Sequence, residues 1–454
     1  MFGDNRVSKY DVIIVGAGPA GIFAALELSK VDGIKVVILD KGSDIEKRVL
    51  EVPRSLLCGW GGAGAFSDGK LTLSTEVGGQ LTSYLPDEEV ERLIKYVDQV
   101  YVEFGAPEKV YGTNEDEVNR IARAAILADL KLIPSAIRHV GTDMWPDLLR
   151  KLRDALNTRV EIRMESAVAK IITREGKACG VETNSGEVIE GDYVILAPGR
   201  EGADWLLEES RRLDLESINN PVDVGVRVEV PAPILEELTS VVYEPKLVYY
   251  SPSFDDRVRT FCVCPYGEVV VEYNETVTTV NGHSYANKRT KNTNFALLVS
   301  TTFTEPFREP ITYGRYIASL SNLLSGSVIV QRLGDLKAGR RSTWSRIEHG
   351  LVEPTLKTAT PGDLSFVLPY RYLAGIMEML EAMDKLAPGV ASRHTLLYGV
   401  EVKFYSSRLR LTPSLETDIA NLFTIGDGAG VTRGLVQASA SGVIAAREII
   451  KRTS

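Results

Sequence analysis

The chain has 454 residues, 44% of them hydrophobic and 25% charged, material for roughly two to three domains with proper cores. This composition excludes collagen-like and disordered readings, and a formal net charge of -9 argues against a protein that grips nucleic acid by charge. Four cysteines, Cys58, Cys179, Cys262 and Cys264, are too few and too scattered for a disulfide framework and point to a reducing compartment. The polar stretch before the first apolar run leaves no room for a cleavable signal, and no apolar run reaches the ~18 residues of a membrane span. A soluble, cytoplasmic protein is expected.

In chain order, Val12 to Val15 reads as a strand buried on both faces, followed by the turn Gly16-Ala-Gly-Pro-Ala-Gly21 and a helix from Ile22 to Ser29. A second strand, Lys35 to Leu39, ends at Asp40. A glycine-rich loop covers Cys58 to Lys70. Helical patterns span Asp87 to Phe104, Glu115 to Leu130 behind a capping box at Thr113/Asp116, and Asp143 to Leu156. Residues 159 to 197 alternate like strands and end in the turn Ala197-Pro-Gly199. From Pro221 to Thr304 the chain is β-rich; Tyr313 to Leu324 and Tyr370 to Leu386 read as helices. The opening pattern then returns, with a strand from Leu422 to Ile425, a Gly-Asp-Gly turn and a helix from Leu435 to Lys451. The expected architecture is an α/β protein with a dinucleotide-binding domain built from both chain ends, 1–216 and 366–454, and an inserted β-rich substrate or cap domain, 217–365.

The N-terminal turn carries the chemistry of phosphate binding. Gly16 permits the tight turn, Gly18 lets the backbone approach a pyrophosphate, and Gly21 lets helix and strand pack closely. Free N–H groups and the helix dipole favour the anion. Asp40, 19 residues beyond Gly21, is placed to accept hydrogen bonds from ribose hydroxyls and would repel a 2′-phosphate. The returning segment brings Asp427 among glycines ahead of a helix start at Gly434-Leu435. That aspartate suits a ribityl chain, and that positive helix end suits a flavin on which negative charge gathers during reduction. The two ends together point to FAD. The expected contacts are Gly16, Gly18, Pro19, Ala20 and Gly21; Asp40, Lys41 and Arg48; Gly61, Gly62, Ala63, Gly64 and Ser67; Ala197 and Gly199; and Gly426, Asp427, Gly434, Leu435 and Val436.

Three segments resemble the family of uncharacterised FAD-dependent dehydrogenases: Gly61-Gly-Ala-Gly-Ala-Phe-Ser-Asp-Gly-Lys-Leu71, Gly399-Val-Glu-Val-Lys-Phe-Tyr-Ser-Ser407, and the run from Gly426 to Gly442. The likeness extends to Phe261-Cys-Val-Cys-Pro265 and Asn281-Gly-His-Ser-Tyr285. It implies an FAD-dependent oxidoreductase with a glutathione-reductase-like FAD topology, acting on a small-molecule substrate that the likeness does not name.

Three side chains are candidates for catalysis. Lys70 is read either as a hydrogen-bond donor to flavin N5 or O4, or as an exposed lysine of a surface loop. Cys264, with Cys262 two positions earlier on one strand face, is read as a redox group or as a small buried apolar residue; a C-x-C disulfide closes a small strained ring. His283 is read as an acid/base group or as structural. The basic tract Arg332 to Arg346 is read as an anion site or as a solvated loop balancing nearby acids. No histidine or cysteine spacing suggests a metal. No second complete G-x-G-x-x-G lies in the middle of the chain, so NADH or NADPH is expected only as a transient donor. Two alternatives remain: a reductase of an isoprenoid-type alkene, using the aromatics Tyr243, Tyr249, Tyr250, Phe254 and Phe261, and a non-redox escort protein on the same fold.

Overall fold

The structure, a computed structural model, describes residues 8–51, 58–66, 69–218, 221–274, 276–301, 303, 309–403 and 408–453. The chain divides into two compact units, Met1–Glu108 with Arg138–Asn220 and Tyr405–Ser454, and Lys109–Ile137 with Pro221–Phe404.

The first unit is built on strands β1 (Ser8–Val15), β2 (Val36–Leu39), β3 (Val160–Arg163), β4 (Val168–Arg174), β5 (Lys177–Thr183), β6 (Val188–Leu196) and β7 (Leu422–Thr424). Their order is β3-β2-β1-β6-β5-β4, with β7 also paired to β6. β3, β2, β1, β6 and β7 run parallel, whereas β4 and β5 are added antiparallel. Val12, Ile13 and Ile14 are fully buried, Val12 and Ile14 in one core and Ile13 in a second that includes Ile171, Val181 and Ile189 of β4, β5 and β6. One covering pair is α1 (Pro19–Leu28) and α2 (Leu435–Thr453). They meet backbone to backbone at Gly442, where a Cβ would overlap the Ala20 carbonyl oxygen.

The second unit is an eight-stranded, mainly antiparallel sheet. Its order is Thr360–Pro361, Ile329–Arg332, Leu396–Lys403, Val222–Pro231, Asn292–Thr301, Arg257–Cys264, Lys246–Tyr250, Lys131–Ile133. On the central strand Val222–Pro231, Val222, Val224, Val226, Val228 and Val230 enter the core shared with helix Tyr370–Leu386. The alternate positions Asp223, Arg227 and Glu229 are buried on the other face.

This division differs from the expected one at two places. The second unit runs on to 404 rather than stopping at 365, because Leu396–Lys403 pairs with Val222–Pro231, Asp223 opposite Lys403 and Glu229 opposite Leu396. Residues 109–137 also belong to it. Helix Glu115–Leu127 gives Val118, Ile121 and Ala125 to its core, and Lys131–Ile133 pairs with Lys246–Tyr250. The cap of that helix is Asn114, which accepts from the Glu117 N–H, instead of Thr113. No helix among the described residues is long and apolar enough to cross a membrane.

Candidate cofactor site

The site begins where β1 ends. Gly16 has a φ of +110°, and a Cβ there would overlap the carbonyl oxygen of Ala197 at the end of β6, so only glycine fits this turn. Gly18 caps α1 with no side-chain hydrogen bond, Pro19 opens the helix, and no acid lies in its first turn. That leaves the positive helix end without a competing carboxylate. Gly18 itself has an ordinary φ of -79°, and the nearest atom to a Cβ on it would be the Gly62 Cα at 3.9 Å. The fold has room for a methyl group there. The fold itself does not call for glycine at this position.

Asp40 is almost wholly buried and organises the loops around the turn. Its Oδ2 accepts from the Ala17 N–H at 2.7 Å, and its Oδ1 from the Gly42 and Gly59 N–H groups at 2.8 and 2.9 Å. Two carboxylate oxygens offer about four acceptor positions, so Oδ2 keeps one for a further donor such as a ribose hydroxyl. The loop from Gly59 is tied to the turn by the Gly61 N–H to the Ala17 carbonyl, 2.8 Å. Arg48, fully buried, holds it from beneath by donating to the carbonyls of Trp60 (2.5 Å) and Gly62 (3.0 Å). Burial pulls this guanidinium down to about 10, against the pull of Asp40 and Cys58, and it stays charged at neutral pH. Lys41 is paired with Glu201 at the surface.

The single turn Gly62–Phe66 carries Gly62, Ala63 and Gly64; Ser67 lies outside the described residues. A Cβ on Gly62 would stand 3.0 Å from the Gly18 Cα. A Cβ on Gly64 would stand 3.3 Å from Pro19 Cγ and 2.7 Å from Leu435 Cδ2. The first residues of α1 and α2 therefore flank one glycine. The returning segment is locked to the same place. Gly426, at a φ of +75°, donates its N–H to Ser441 Oγ, and its Cβ would lie 3.0 Å from that of Ala20. Asp427 accepts from Thr432 Oγ1 (2.7 Å) and from Arg200 Nε (3.2 Å). Gly428 packs on Gly199, whose φ of +63° turns the chain beside Ala197. Gly434 faces Gly78, and Val436 is buried in the core.

Sequence reasoning missed three residues here. Arg200 and Thr432 orient Asp427. Gln437, on the first turn of α2, accepts from the Leu81 N–H and donates to the carbonyls of Ser74, Thr75 and Val77, which straps residues 74–81 across that helix start. Gln437 stands within the family-like run from Gly426 to Gly442, which was the one available signal. Lys70 is half-buried at the head of strand Lys70–Leu73.

The remaining candidates lie in the second unit. Cys264 is buried and Cys262 half-buried; His283 ends strand Val277–His283 opposite Glu268. In the basic tract the balancing acids are present, but its first arginine is buried instead of solvated. Arg332 and Arg340 both grip the buried Asp335, and Lys337 pairs with Glu381. Burial works to raise the Asp335 carboxyl, but Arg332, Ser342 and Arg340 outweigh it and hold it down at about 2. A depressed carboxyl contributes stability above its unfolded value and loses it as pH falls toward the folded one. Asp335→Asn is expected to lose about 2 kcal/mol at pH 7 in denaturant unfolding, a deficit against wild type that shrinks between pH 4 and pH 2. The five aromatics do not form one apolar lining. Tyr249 is buried while Tyr250 is exposed, and Phe261 has Lys246, Arg259 and Lys403 around its ring.

A parallel sheet with a glycine turn at its central strand, closed by a second helix start from late in the chain, defines a dinucleotide-binding α/β protein. The FAD binding domain family matches residues 9–52, and the family described as "FAD-dependent protein, C-terminal domain-like" matches 221–404, the main segment of the second unit. An uncharacterized protein of Clostridium beijerinckii is 30% identical over 97% of this chain and 80% of its own length. Protein FixC of Salmonella typhi is 25% identical over 50% of this chain and 45% of its own. Among solved structures, the chain is similar to L-proline dehydrogenase from P. horikoshii (14% identity, TM-score 0.44, 98% of this chain and 94% of that one). It is also similar to glycine oxidase from Geobacillus kaustophilus (16% identity, TM-score 0.41, 98% and 95%). The chain belongs to the same family as the Clostridium beijerinckii protein, and both families that match parts of it are of FAD-binding or FAD-dependent proteins.

Proposed function

We propose that this FAD-dependent protein is an oxidoreductase that passes hydride through flavin N5 to or from a small molecule, with NADH or NADPH as a transient donor, in the cytoplasm. FAD, when bound, supplies the two-electron chemistry. The residues of the chain supply grip and charge. The backbone of the Gly16–Gly21 turn and the start of α1 hold the pyrophosphate, and the free acceptor position of Asp40 takes a ribose hydroxyl. Asp427, oriented by Thr432 and Arg200, accepts from a ribityl hydroxyl. The start of α2 offers a positive helix end to negative charge gathering on the ring. Selection of the substrate is assigned to the second unit.

The observation that carries this reading is the placement of Pro19 and Leu435 on either side of Gly64, which brings both helix starts to one point. The lack of a second G-x-G-x-x-G in the middle of the chain supports a donor that binds only in passing, and the small, scattered set of four cysteines supports a reducing compartment. The test is spectroscopic. The purified protein should show the absorbance of oxidised flavin, release a cofactor that runs as FAD, and bleach anaerobically on mixing with NADH or NADPH. Protein that stays colourless after reconstitution with FAD would overturn the site assignment; a bound flavin that neither nucleotide bleaches would remove the nicotinamide donor.

A further inference from the structure

Strand Arg257–Cys264 pairs with Asn292–Thr301 as far as Phe261 opposite Ala296, and the pairing resumes at Cys264 opposite Asn294. Three steps on one strand therefore answer two on the other, which is a β-bulge. Its extra residue places Cys262 at a φ of +46°, a left-handed backbone that side-chain-bearing residues rarely adopt. On a regular strand, residues two apart are separated by about 6.6 Å along the chain. Here the sulfurs of Cys262 and Cys264 stand 3.8 Å apart, and neither is in a disulfide.

A buried cation is aimed at this pair. Arg227 is fully buried, and its Nη2 donates to Cys264 Sγ at 3.1 Å and to the Cys262 carbonyl at 2.6 Å. Its Nε donates to Asn294 Oδ1 at 2.8 Å, and the fully buried Glu401 lies 3.4 Å from Nη1. A Cβ on Gly282 would overlap the guanidinium, so that glycine clears the space the arginine occupies. A permanent positive charge at a sulfur favours thiolate. The same charge opposes a metal cation between the two sulfurs. At the other two cysteines burial outweighs the nearby cations and pushes the thiols of both Cys58 and Cys179 up.

We propose that Cys262 and Cys264 form a dithiol–disulfide exchange site that reacts with small organic disulfides. Cys262, the more exposed of the two, attacks the disulfide as thiolate; a mixed disulfide forms on its Sγ and one thiolate leaves. Cys264, with Arg227 at its sulfur, then attacks Cys262 Sγ, closing the Cys262–Cys264 bond and expelling the second thiolate. The two protein thiol protons end on the two released thiols, and the two electrons lost by the cysteines reduce one disulfide. The small ring makes the product easily reduced again by a dithiol.

The test is a thiol count on the flavin-loaded protein, denatured after equilibration with excess oxidised glutathione. Four alkylatable thiols should fall to two, with the peptide carrying Cys262 and Cys264 lighter by two hydrogens, and dithiothreitol should restore all four. Cys264→Ser should stop at a glutathione adduct on Cys262, and Cys262→Ser should leave Cys264 unmodified. Four thiols surviving in the wild type, or a bond to Cys58 or Cys179, would overturn the proposal. The wild-type count decides it even if a variant fails to fold, and its failure leaves the flavin reading untouched.

Discussion

Gly18→Ala is expected to fold as wild type and yet purify largely without flavin. At this position the protein makes no demand for glycine: the φ of -79° suits any residue, and a Cβ would have 3.9 Å to its nearest neighbour, the Gly62 Cα. The extended backbone also suits a residue ahead of Pro19. Unfolding of the flavin-free protein should change by less than about 1 kcal/mol, the scale of exchanging one N-cap residue for another. The methyl group would instead fill the gap between Gly18 and Gly62, where a pyrophosphate must meet backbone N–H groups. Losing one or two charge-assisted hydrogen bonds, each about 1.5–3 kcal/mol, weakens FAD binding by at least about tenfold. Equilibrium titration of the apoprotein with FAD checks this. Unchanged affinity would mean that the phosphates lie elsewhere. Gly16→Ala makes the contrast, because its Cβ would strike the Ala197 carbonyl and folding itself would suffer.

The second large effect is one of stability. Glu401 is fully buried between Arg227 at 3.4 Å and Lys403 at 3.1 Å. Glu401→Gln keeps the shape and removes the charge that both cations face. Breaking a buried pair from one side leaves an uncompensated buried charge, at a cost of about 3–5 kcal/mol. Denaturant unfolding of the variant should show that loss. An exposed pair such as Lys385 with Asp129 should contribute no more than about 1 kcal/mol when Lys385 is removed. A Glu401→Gln protein as stable as wild type would show that water reaches this carboxylate after all.

The first unit was legible because its signals are local. Uninterrupted apolar runs, a glycine turn and an amphipathic helix each state their own structure over a few residues, and β1, α1 and β2 follow from them. Helix Asp87–Glu103 was read almost to the residue for the same reason. Long-range allegiance was not legible. The period of helix Glu115–Leu127 reports a buried face without naming the core that buries it, and that core lies in the second unit. Charged residues read as surface, so Asp223, Arg227, Glu229 and Glu401 gave no sign of a buried polar face on the second sheet. Helix Pro233–Val242 was not anticipated inside a stretch that reads as strands. At the site, glycines were found because their reason is local geometry. Arg200 and Gln437 were not, because each acts through a partner distant in sequence, and Thr432 was not, although the Asp427 it orients is only five positions away.

The order in which the pieces of the first unit occur along the chain has a consequence for biosynthesis. Its opening turn is made at residues 16–21, but the strand that flanks β6 and the helix that crosses α1 come only at 422–453. A nascent chain has therefore already emitted the whole of the second unit's sheet before the nucleotide cradle acquires its other wall. On the proposed site, a chain that has not yet reached residue 435 lacks the second helix start, so flavin gripped by both starts is acquired only after the second unit has been made.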